Sequence, residues 1–256
     1  MYRPVFRLNE ILKNYLFLLS YPEETRQEAE KRFEELRKVG IEALILEGPI
    51  EVKNVRILGK GHASLVIKGK LIEGEEVATK ILRTDADRSS LEREAELLRL
   101  ANAVGVGPRL YNYAKHVIVM ELVEGVRIGE WDPTTYKKDD VMYVIRDLLE
   151  QCRRLDVINL DHGELSNPAK HVIIGERPVI LDFESASLNR RPSNVTSLAQ
   201  YLFISGPFSD YFRKCLIRRS KQEVIDILRK YKRVLNDEVF EDMLRFFNLL
   251  CTNKVK

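Results

Sequence analysis

Leu91, Ala95, Leu98 and Ala101 recur at helical spacing, and Glu94 falls inside their stripe, three residues after Leu91 and four before Leu98. An isolated carboxylate on the buried face of a helix costs on the order of several kcal/mol unless a cation meets it. Whatever fold this chain adopts must therefore deliver a basic side chain to that helix. Lys80 is the obvious mate. It closes the run Val77-Ala78-Thr79-Lys80, where strand alternation places Ala78 and Lys80 on one face. Glu92 and Glu96 fall on the outer side of the helix and need no such partner. Asp85 or Asp87 is placed to cap it, and Gly105 to end it.

Around this pair the chain changes character twice. Residues 1 to 40 read as two helices. Ser20-Tyr21-Pro22-Glu23 has capping-box spacing, and Ala29, Phe33, Leu36 and Val39 form an apolar stripe ending at Gly40. Glu28 with Arg32 and Glu34 with Lys38 are i,i+4 pairs that put the opposite side in solvent. Then come short β-rich runs, Ala43 to Leu46, Val55 to Leu58, Ser64 to Ile67 and Glu76 to Leu82, with Gly69 and Gly74 about the last turn. With Arg109 to Tyr113 and His116 to Glu121 they predict a five-stranded antiparallel sheet and one helix. After Gly125 the chain is mostly helical. Asp139 to Leu155 turns Val141, Val144, Leu148, Leu149 and Cys152 inward, a hairpin pairs His171 to Ile174 with Pro178 to Leu181, and further helices begin near Ser193, Phe208, Lys221 and Asn236. The predicted organisation is a helical N-terminal extension over residues 1–49, a β-rich lobe over 50–125 and a helical lobe over 126–256.

Composition narrows the class. With 45% hydrophobic and 32% charged residues over 256 positions, the chain is neither a disordered protein nor a disulfide scaffold. Its net charge of +3 is too small to imply a nucleic-acid partner. Tyr211 to Lys256, however, carries 12 basic and 6 acidic residues, which suits a solvated helical face or contact with RNA or a ribonucleoprotein. Cys152, Cys215 and Cys251 are odd in number and far apart, so a reducing cytoplasm is expected. The first residues lack a secretory apolar core, and the longest uncharged stretch, Pro192 to Ser209, is too polar to span a membrane.

Three further segments carry chemistry. Leu58-Gly59-Lys60-Gly61-His62-Ala63-Ser64-Leu65-Val66 sets two glycines between strands, where backbone amides can approach phosphates or simply close a hairpin. It opens no helix, which disfavours a dinucleotide-binding turn. Ala78 beside Lys80 offers a small roof over a flat base while the ammonium reaches phosphate oxygens. Ile118-Val119-Met120-Glu121-Leu122-Val123-Glu124-Gly125 is an apolar strand ending in acidic residues and a glycine, equally readable as a plain core strand.

Taken in order, these segments resemble a protein kinase. Gly59, Gly61, Ser64 and Val66 look like the glycine-rich loop with its third glycine replaced, Val77 to Lys80 like the lysine strand, and Glu94 like its paired glutamate. The resemblance implies that Met120 is the gatekeeper and that the backbone of Glu121 and Val123 binds adenine. Downstream, His162-Gly163-Glu164-Leu165-Ser166 resembles the His-Gly-Asp-Leu-Ser/Thr catalytic loop of RIO kinases and of the small kinase subunit of the KEOPS complex. Asp182-Phe183-Glu184 resembles the metal-binding Asp-Phe-Gly, with glutamate for glycine. The likeness runs from about Val55 to Phe203.

The departures bear on activity. Glu164 stands where the family places Asp, and its extra methylene displaces the carboxylate by roughly 1 Å, a misplacement that can cost ~10²-fold. The family's metal-binding Asn falls on Ala169, or on Lys170 if the loop has one extra residue. Two repairs suggest themselves. Asn167 coordinates the second Mg²⁺, or Lys170 supplies positive charge to phosphate; the latter register makes Val172 the adenine floor and His171 an ordinary strand residue. The four histidines offer no metal-ligand spacing. About eleven residues separate Asp182 from the helix near Ser193, and no Ala-Pro-Glu follows, so a long activation segment has no room. Arg190, Arg191 and the basic C-terminal helices are then candidate contacts for a bulky partner.

The expected fold is α+β and protein-kinase-like, with a β-rich N-lobe, a helical C-lobe, a helical N-terminal extension and no long activation segment. The expected activity is ATP-dependent phosphotransfer by an atypical serine/threonine protein kinase of RIO-like type. Lys80 and Glu94 would position the phosphates of an ATP lodged between the lobes. Asp182 would hold Mg²⁺, and Glu164 would orient an acceptor hydroxyl on a protein not identified by the sequence. A nucleotide-binding ATPase switch or pseudokinase in an assembly pathway is the first alternative, favoured by the substituted Glu164 and Lys170. A small-molecule kinase is the second, though the basic C-terminal balance suits an acidic substrate pocket poorly.

Overall fold

The structure is a computed structural model that describes residues 4–250. It divides into two compact units, one holding the described residues to Asn102 with Pro108–Val123, the other Ala103–Gly107 with the described residues from Glu124. The first unit runs β1 (Val5–Arg7), α1 (Leu8–Asn14), α2 (Arg26–Lys38), β2 (Ile41–Ile45), β3 (Ile50–Val52), β4 (Val55–Ile57), β5 (Gly59–Lys60), β6 (Ser64–Leu71), β7 (Glu76–Leu82), α3 (Glu92–Ala103), β8 (Leu110–Ala114) and β9 (Val117–Glu121).

Alternation in β6, β7 and β9 decides how this unit packs. Val66 lies opposite Lys80 and Lys80 opposite Ile118, while Lys68 lies opposite Ala78 and Ala78 opposite Met120, so all six side chains share one face. On that face Leu82 and Ile118 pack with Leu91 and Ala95 of the α3 region, and Met120 lies against them. The intervening residues Leu65, Ile67, Val77, Ile81, Val117 and Val119 point the other way, into a larger core with Ile11, Leu18, Phe33 and Leu36. The sheet is thus covered by α3 on one side and by α1 and α2 on the other. Its order is β1-β2-β6-β7-β9-β8, antiparallel throughout, with β5 also on β6. Gly69 lets β6 and β7 close up, because a Cβ there would lie 2.3 Å from Thr79 Oγ1.

Several expectations are corrected. The sheet has seven strands, not five: β2 occupies the expected run near Ala43, and the unexpected β1 and β5 join it; with β1 and β2 inside them, the first 49 residues are not purely helical. Val55 to Leu58 leaves the main sheet and forms a separate ribbon, β3 with β4. Ser20 does not cap α2: Glu24 takes a left-handed φ of 59° that interrupts any helix from Ser20, and α2 starts after Thr25. At α3 the cap is Ser90, whose Oγ accepts from the Glu92 amide at 3.0 Å, while Asp85 is held by Arg83. Arg32 is buried rather than solvent-facing, with Nε donating to the Leu82 carbonyl at 2.9 Å, and Glu34 pairs with Arg37 instead of Lys38.

In the second unit are β10 (Val126–Arg127), α4 (Lys138–Val157), β11 (Val172–Ile174), β12 (Pro178–Ile180), α5 (Asn194–Gln200), α6 (Ser209–Tyr211), α7 (Lys221–Val234) and α8 (Asp237–Phe246). Single turns of 3₁₀ helix occur at Pro133–Thr135 and Pro168–Lys170, and π-helical turns at Tyr201–Ser205 and Phe212–Ile217. β10 adds a third strand to the expected hairpin. The apolar face of α4 is buried at Val141, Ile145, Leu148, Leu149, Cys152 and Leu155. Burial pushes the Cys152 thiol well up, whereas Cys215 is exposed; Cys251 lies outside the described residues. Among the described residues no helix is long and apolar enough to cross a membrane.

Glu35 of α2 fastens the turn between β8 and β9. Its two oxygens accept from the backbone amide and ring Nδ1 of His116, both at 2.8 Å. Burial works to raise the Glu35 carboxyl, but the hydrogen bonds from His116 prevail and hold it below its usual range. Its stabilising contribution is therefore present above the unfolded value of about 4.3 and disappears as pH falls through the lower folded value. Glu35→Gln is expected to lower Tm at pH 7. It should also flatten the wild-type decline in Tm below about pH 4.3, as followed by circular dichroism melts.

Candidate functional site

In the first unit the strand carrying Lys80 and the helix carrying Glu94 meet through their side chains. Lys80 Nζ donates to Glu94 Oε1 at 2.6 Å, and both side chains are 6% exposed. Glu94 Oε2 accepts from Arg88 Nη1 at 3.0 Å. One buried carboxylate thus gathers two cations, each a candidate for phosphate oxygens. Removing one member of such a buried pair typically costs about 3–5 kcal/mol. Arg88 lies in the loop before α3, where no periodicity singles it out.

The other expected nucleotide residues of this unit lie between β5 and the end of β9 or just beyond it. Val66, Ala78 and Met120 share the Lys80 face. The Gly61 amide donates to the Ser64 carbonyl at 2.8 Å, closing the turn from β5 to β6. Gly59 and Gly61 do not have positive φ, and added Cβ atoms would meet nothing closer than 3.7 and 3.6 Å respectively. The hairpin itself does not demand glycine at either place. Glu121 holds the end of β9, its amide donating to the Arg109 carbonyl at 2.8 Å and its carboxylate accepting from the Arg109 amide at 2.9 Å. Val123 follows, half-buried.

The candidate residues of the second unit are built on a buried acid. Asp156 continues the apolar stripe of α4, four residues after Cys152, and is 7% exposed. Its carboxylate accepts from the Asn194 amide (3.0 Å), Asn194 Nδ2 (2.8 Å) and the Tyr231 hydroxyl (2.9 Å). Burial pushes this carboxyl up, against the opposing hydrogen bonds from Tyr231 and Asn194. Asn194 relays the restraint, since its Oδ1 accepts from the His162 amide at 2.8 Å. His162 is fully buried, donates Nε2–H to the Leu181 carbonyl at 2.9 Å and meets Phe183 edge-on at 5.1 Å. Burial lowers its pKa, which favours the neutral ring.

Next along the loop, Gly163 has φ of 90°, and a Cβ there would lie 2.5 Å from Arg190 Nη2 and 2.9 Å from the Ser185 carbonyl. Arg190 is engaged locally: Nε pairs with Asp161 at 3.0 Å and Nη2 donates to the Ser185 carbonyl at 2.6 Å. Arg191 bonds the carbonyls of Lys232 and Arg233 at the end of α7. Both are thus tied within the second unit while remaining exposed. The basic tail is also partly neutralised, with Lys214 on Asp210, Lys230 on Asp242 and Arg245 on Glu241.

Glu164 receives two donors, Ser185 Oγ on Oε1 at 2.5 Å and His171 Nε2 on Oε2 at 2.6 Å. On its other side His171 points Nδ1 toward Asp182 Oδ2, 3.7 Å away, and that nitrogen has no hydrogen-bond partner. Asp182 itself is held at φ of 67°. His171 is therefore no ordinary strand residue: it precedes β11 and stands at both carboxylates. Asn167 and Lys170 are exposed, and neither side chain makes a hydrogen bond or ion pair among the described residues. Ala169 lies against Gly129, whose amide donates to the Ala169 carbonyl at 3.3 Å. Val172 is wholly buried opposite Ile180.

The sequence reading missed Arg88, His171, Ser185, Asp156 and Asn194. Asp156 was within reach, because the argument that singles out Glu94 in an apolar stripe applies equally to it. His171 and Ser185 carry no periodic signal; their importance comes from a turn that folds them back onto Glu164.

Gly163→Ala places a side chain at positive φ against a backbone carbonyl and is expected to destabilise by roughly 1–3 kcal/mol. Gly61→Ala should stay within about 0.5 kcal/mol of wild type. Urea unfolding of both variants provides the comparison.

Comparison with known proteins adds two findings. A sequence model of the RIO domain matches residues 70–224, more than half of the chain. A stretch of 79 residues, 31% of this chain, is 27% identical to an uncharacterized protein of Methanocaldococcus jannaschii and covers 68% of that protein.

Proposed function

The chain belongs to the RIO domain family, which has a protein-kinase-like fold and an atypical kinase-like ATP-binding domain, and from that premise we propose that it is a phosphotransferase acting on serine or threonine hydroxyls of a protein. The observation that carries this reading is the buried Lys80–Glu94 pair at 2.6 Å. An ammonium fixed by a desolvated carboxylate is preorganised for phosphate oxygens, and phosphoryl transfer depends mostly on positioning and charge neutralisation. Arg88, held by the same carboxylate, adds a second cation for the triphosphate.

The remaining roles follow from where the side chains stand. Gly59, Gly61 and Ser64 present backbone to the phosphates; Val66, Ala78 and Met120 line the base; Glu121 and Val123 offer it backbone hydrogen bonds. The residues of the second unit suit a divalent cation, since Asp182 supplies oxygen next to the unpartnered ring nitrogen of His171. Such an ion, Mg²⁺ in the simplest case, neutralises phosphate charge when ATP is bound. Glu164 orients the acceptor hydroxyl. Its two donors, Ser185 and His171, fix the longer side chain, and each carboxylate oxygen keeps a lone pair for the incoming proton. Lys170, exposed on its 3₁₀ turn, is available to a phosphate or to the acceptor.

Transfer of label from [γ-³²P]ATP to the protein itself or to an added acceptor, measured with Mg²⁺ and separately with Mn²⁺, tests the reading. Lys80→Met and Asp182→Asn should each lower transfer by about 10²-fold or more while the proteins remain folded by circular dichroism. Glu164→Gln should lower kcat with little change in ATP affinity. Nucleotide binding without any transfer by wild type would replace the kinase by a nucleotide-operated switch, and transfer undiminished in the Lys80 and Asp182 variants would remove the reading.

A further inference from the structure

His171 has an asymmetric environment. Its Nε2 lies 2.6 Å from Glu164 Oε2, and an ionised carboxylate only accepts, so the ring hydrogen sits on Nε2. The opposite nitrogen, Nδ1, is out of contact with solvent and has no hydrogen-bond partner. Across from it is Asp182 Oδ2 at 3.7 Å, too far for a hydrogen bond. A buried ring nitrogen that faces a carboxylate oxygen from beyond hydrogen-bond reach is an arrangement that a cation completes. Metal–donor bonds of about 2.0–2.2 Å leave two ligands of one ion roughly 3–3.7 Å apart, which the observed separation matches.

The surroundings of the ring support the same conclusion. Metal-binding histidines almost always donate their second ring N–H to a carboxylate or carbonyl, which fixes the ring and raises its basicity. Glu164 does this for His171, and Ser185 in turn holds Glu164. We propose that His171 Nδ1 and Asp182 form a mixed nitrogen–oxygen site for the divalent cation that accompanies the nucleotide, and that this site selects Mn²⁺ over Mg²⁺. The inference deepens the phosphotransferase reading and rests on it for the role of the ion. Magnesium takes oxygen ligands and gives up its water reluctantly, whereas Mn²⁺, although the weakest nitrogen binder of the transition series, still accepts imidazole more readily than Mg²⁺ does. In this arrangement Glu164 has two tasks, orienting the hydroxyl and setting the tautomer of the metal ligand.

The experiment is pulsed electron paramagnetic resonance on the full chain with Mn²⁺, with and without a non-hydrolysable ATP analogue whose binding is measured separately by calorimetry. Wild type should show ¹⁴N modulation from a coordinated imidazole. His171→Ala and His171→Asn should both lose it, the second keeping a polar side chain beside Glu164, while Lys170→Ala and Asn167→Ala retain it. Competition should place Mn²⁺ affinity at least about tenfold above that of Mg²⁺ in wild type, with the margin shrinking in His171→Asn. Analogue binding with no ¹⁴N coupling, coupling that survives both His171 variants, or no Mn²⁺ binding would overturn the proposal. Coupling from His171 without any analogue binding would uphold the metal site and instead remove the ATP reading.

Discussion

Asp156 ends the buried face of α4 with its carboxylate out of water, and the second unit is organised around satisfying it. The acid accepts from Asn194 at the start of α5 and from Tyr231 of α7, and Asn194 passes the constraint to the His162 amide. Three helices and the loop bearing Glu164 are thereby fixed by groups that cannot find other partners without water. Leu160, whose carbonyl also accepts from Asn194, and Asp161, which accepts from the Ser193 amide, tighten the same knot. The geometry at Glu164 is a consequence of this buried acid several residues upstream.

The first unit uses the same device with different partners. Glu94 is buried, and its charge is balanced by Lys80 and Arg88 instead of by hydrogen-bonding amides. Each unit thus contains a carboxylate that an apolar helix face forces inward, and each carboxylate positions a group that phosphoryl chemistry would use. The difference in partners separates the tasks. Cations gathered on Glu94 balance its buried charge, whereas neutral donors on Asp156 fix backbone.

Much of this was legible from residue order. Strand alternation placed Lys80 with Ala78, and the position of Glu94 in its stripe required a cation; β7 occurs over the expected Glu76–Leu82. The helices from α5 onward begin within a residue or so of their expected starts. What could not be read is of two kinds. Short edge strands such as β1 lack enough residues to show a period, so the sheet was counted too small. His171, Ser185 and Arg190 act through contacts made when loops fold back on one another, and one-dimensional spacing holds no trace of that. Counting residues around Asn167 and Lys170 gave no hint that the 3₁₀ turn at Pro168–Lys170 leaves both exposed and brings the following residue, His171, to the carboxylates.

Because α1 and α2 seal one side of the seven-stranded sheet and β2 hydrogen-bonds along β6, the stretch recognisable by family kinship is shorter than the body that must fold. The kinship begins at residue 70, inside β6, after the chain has already contributed most of the hydrophobic interior on that side. A chain cut back to the recognisable stretch would leave Val77, Ile81, Val117 and Val119 facing water, so the opening residues serve as a wall of the building and not as a porch.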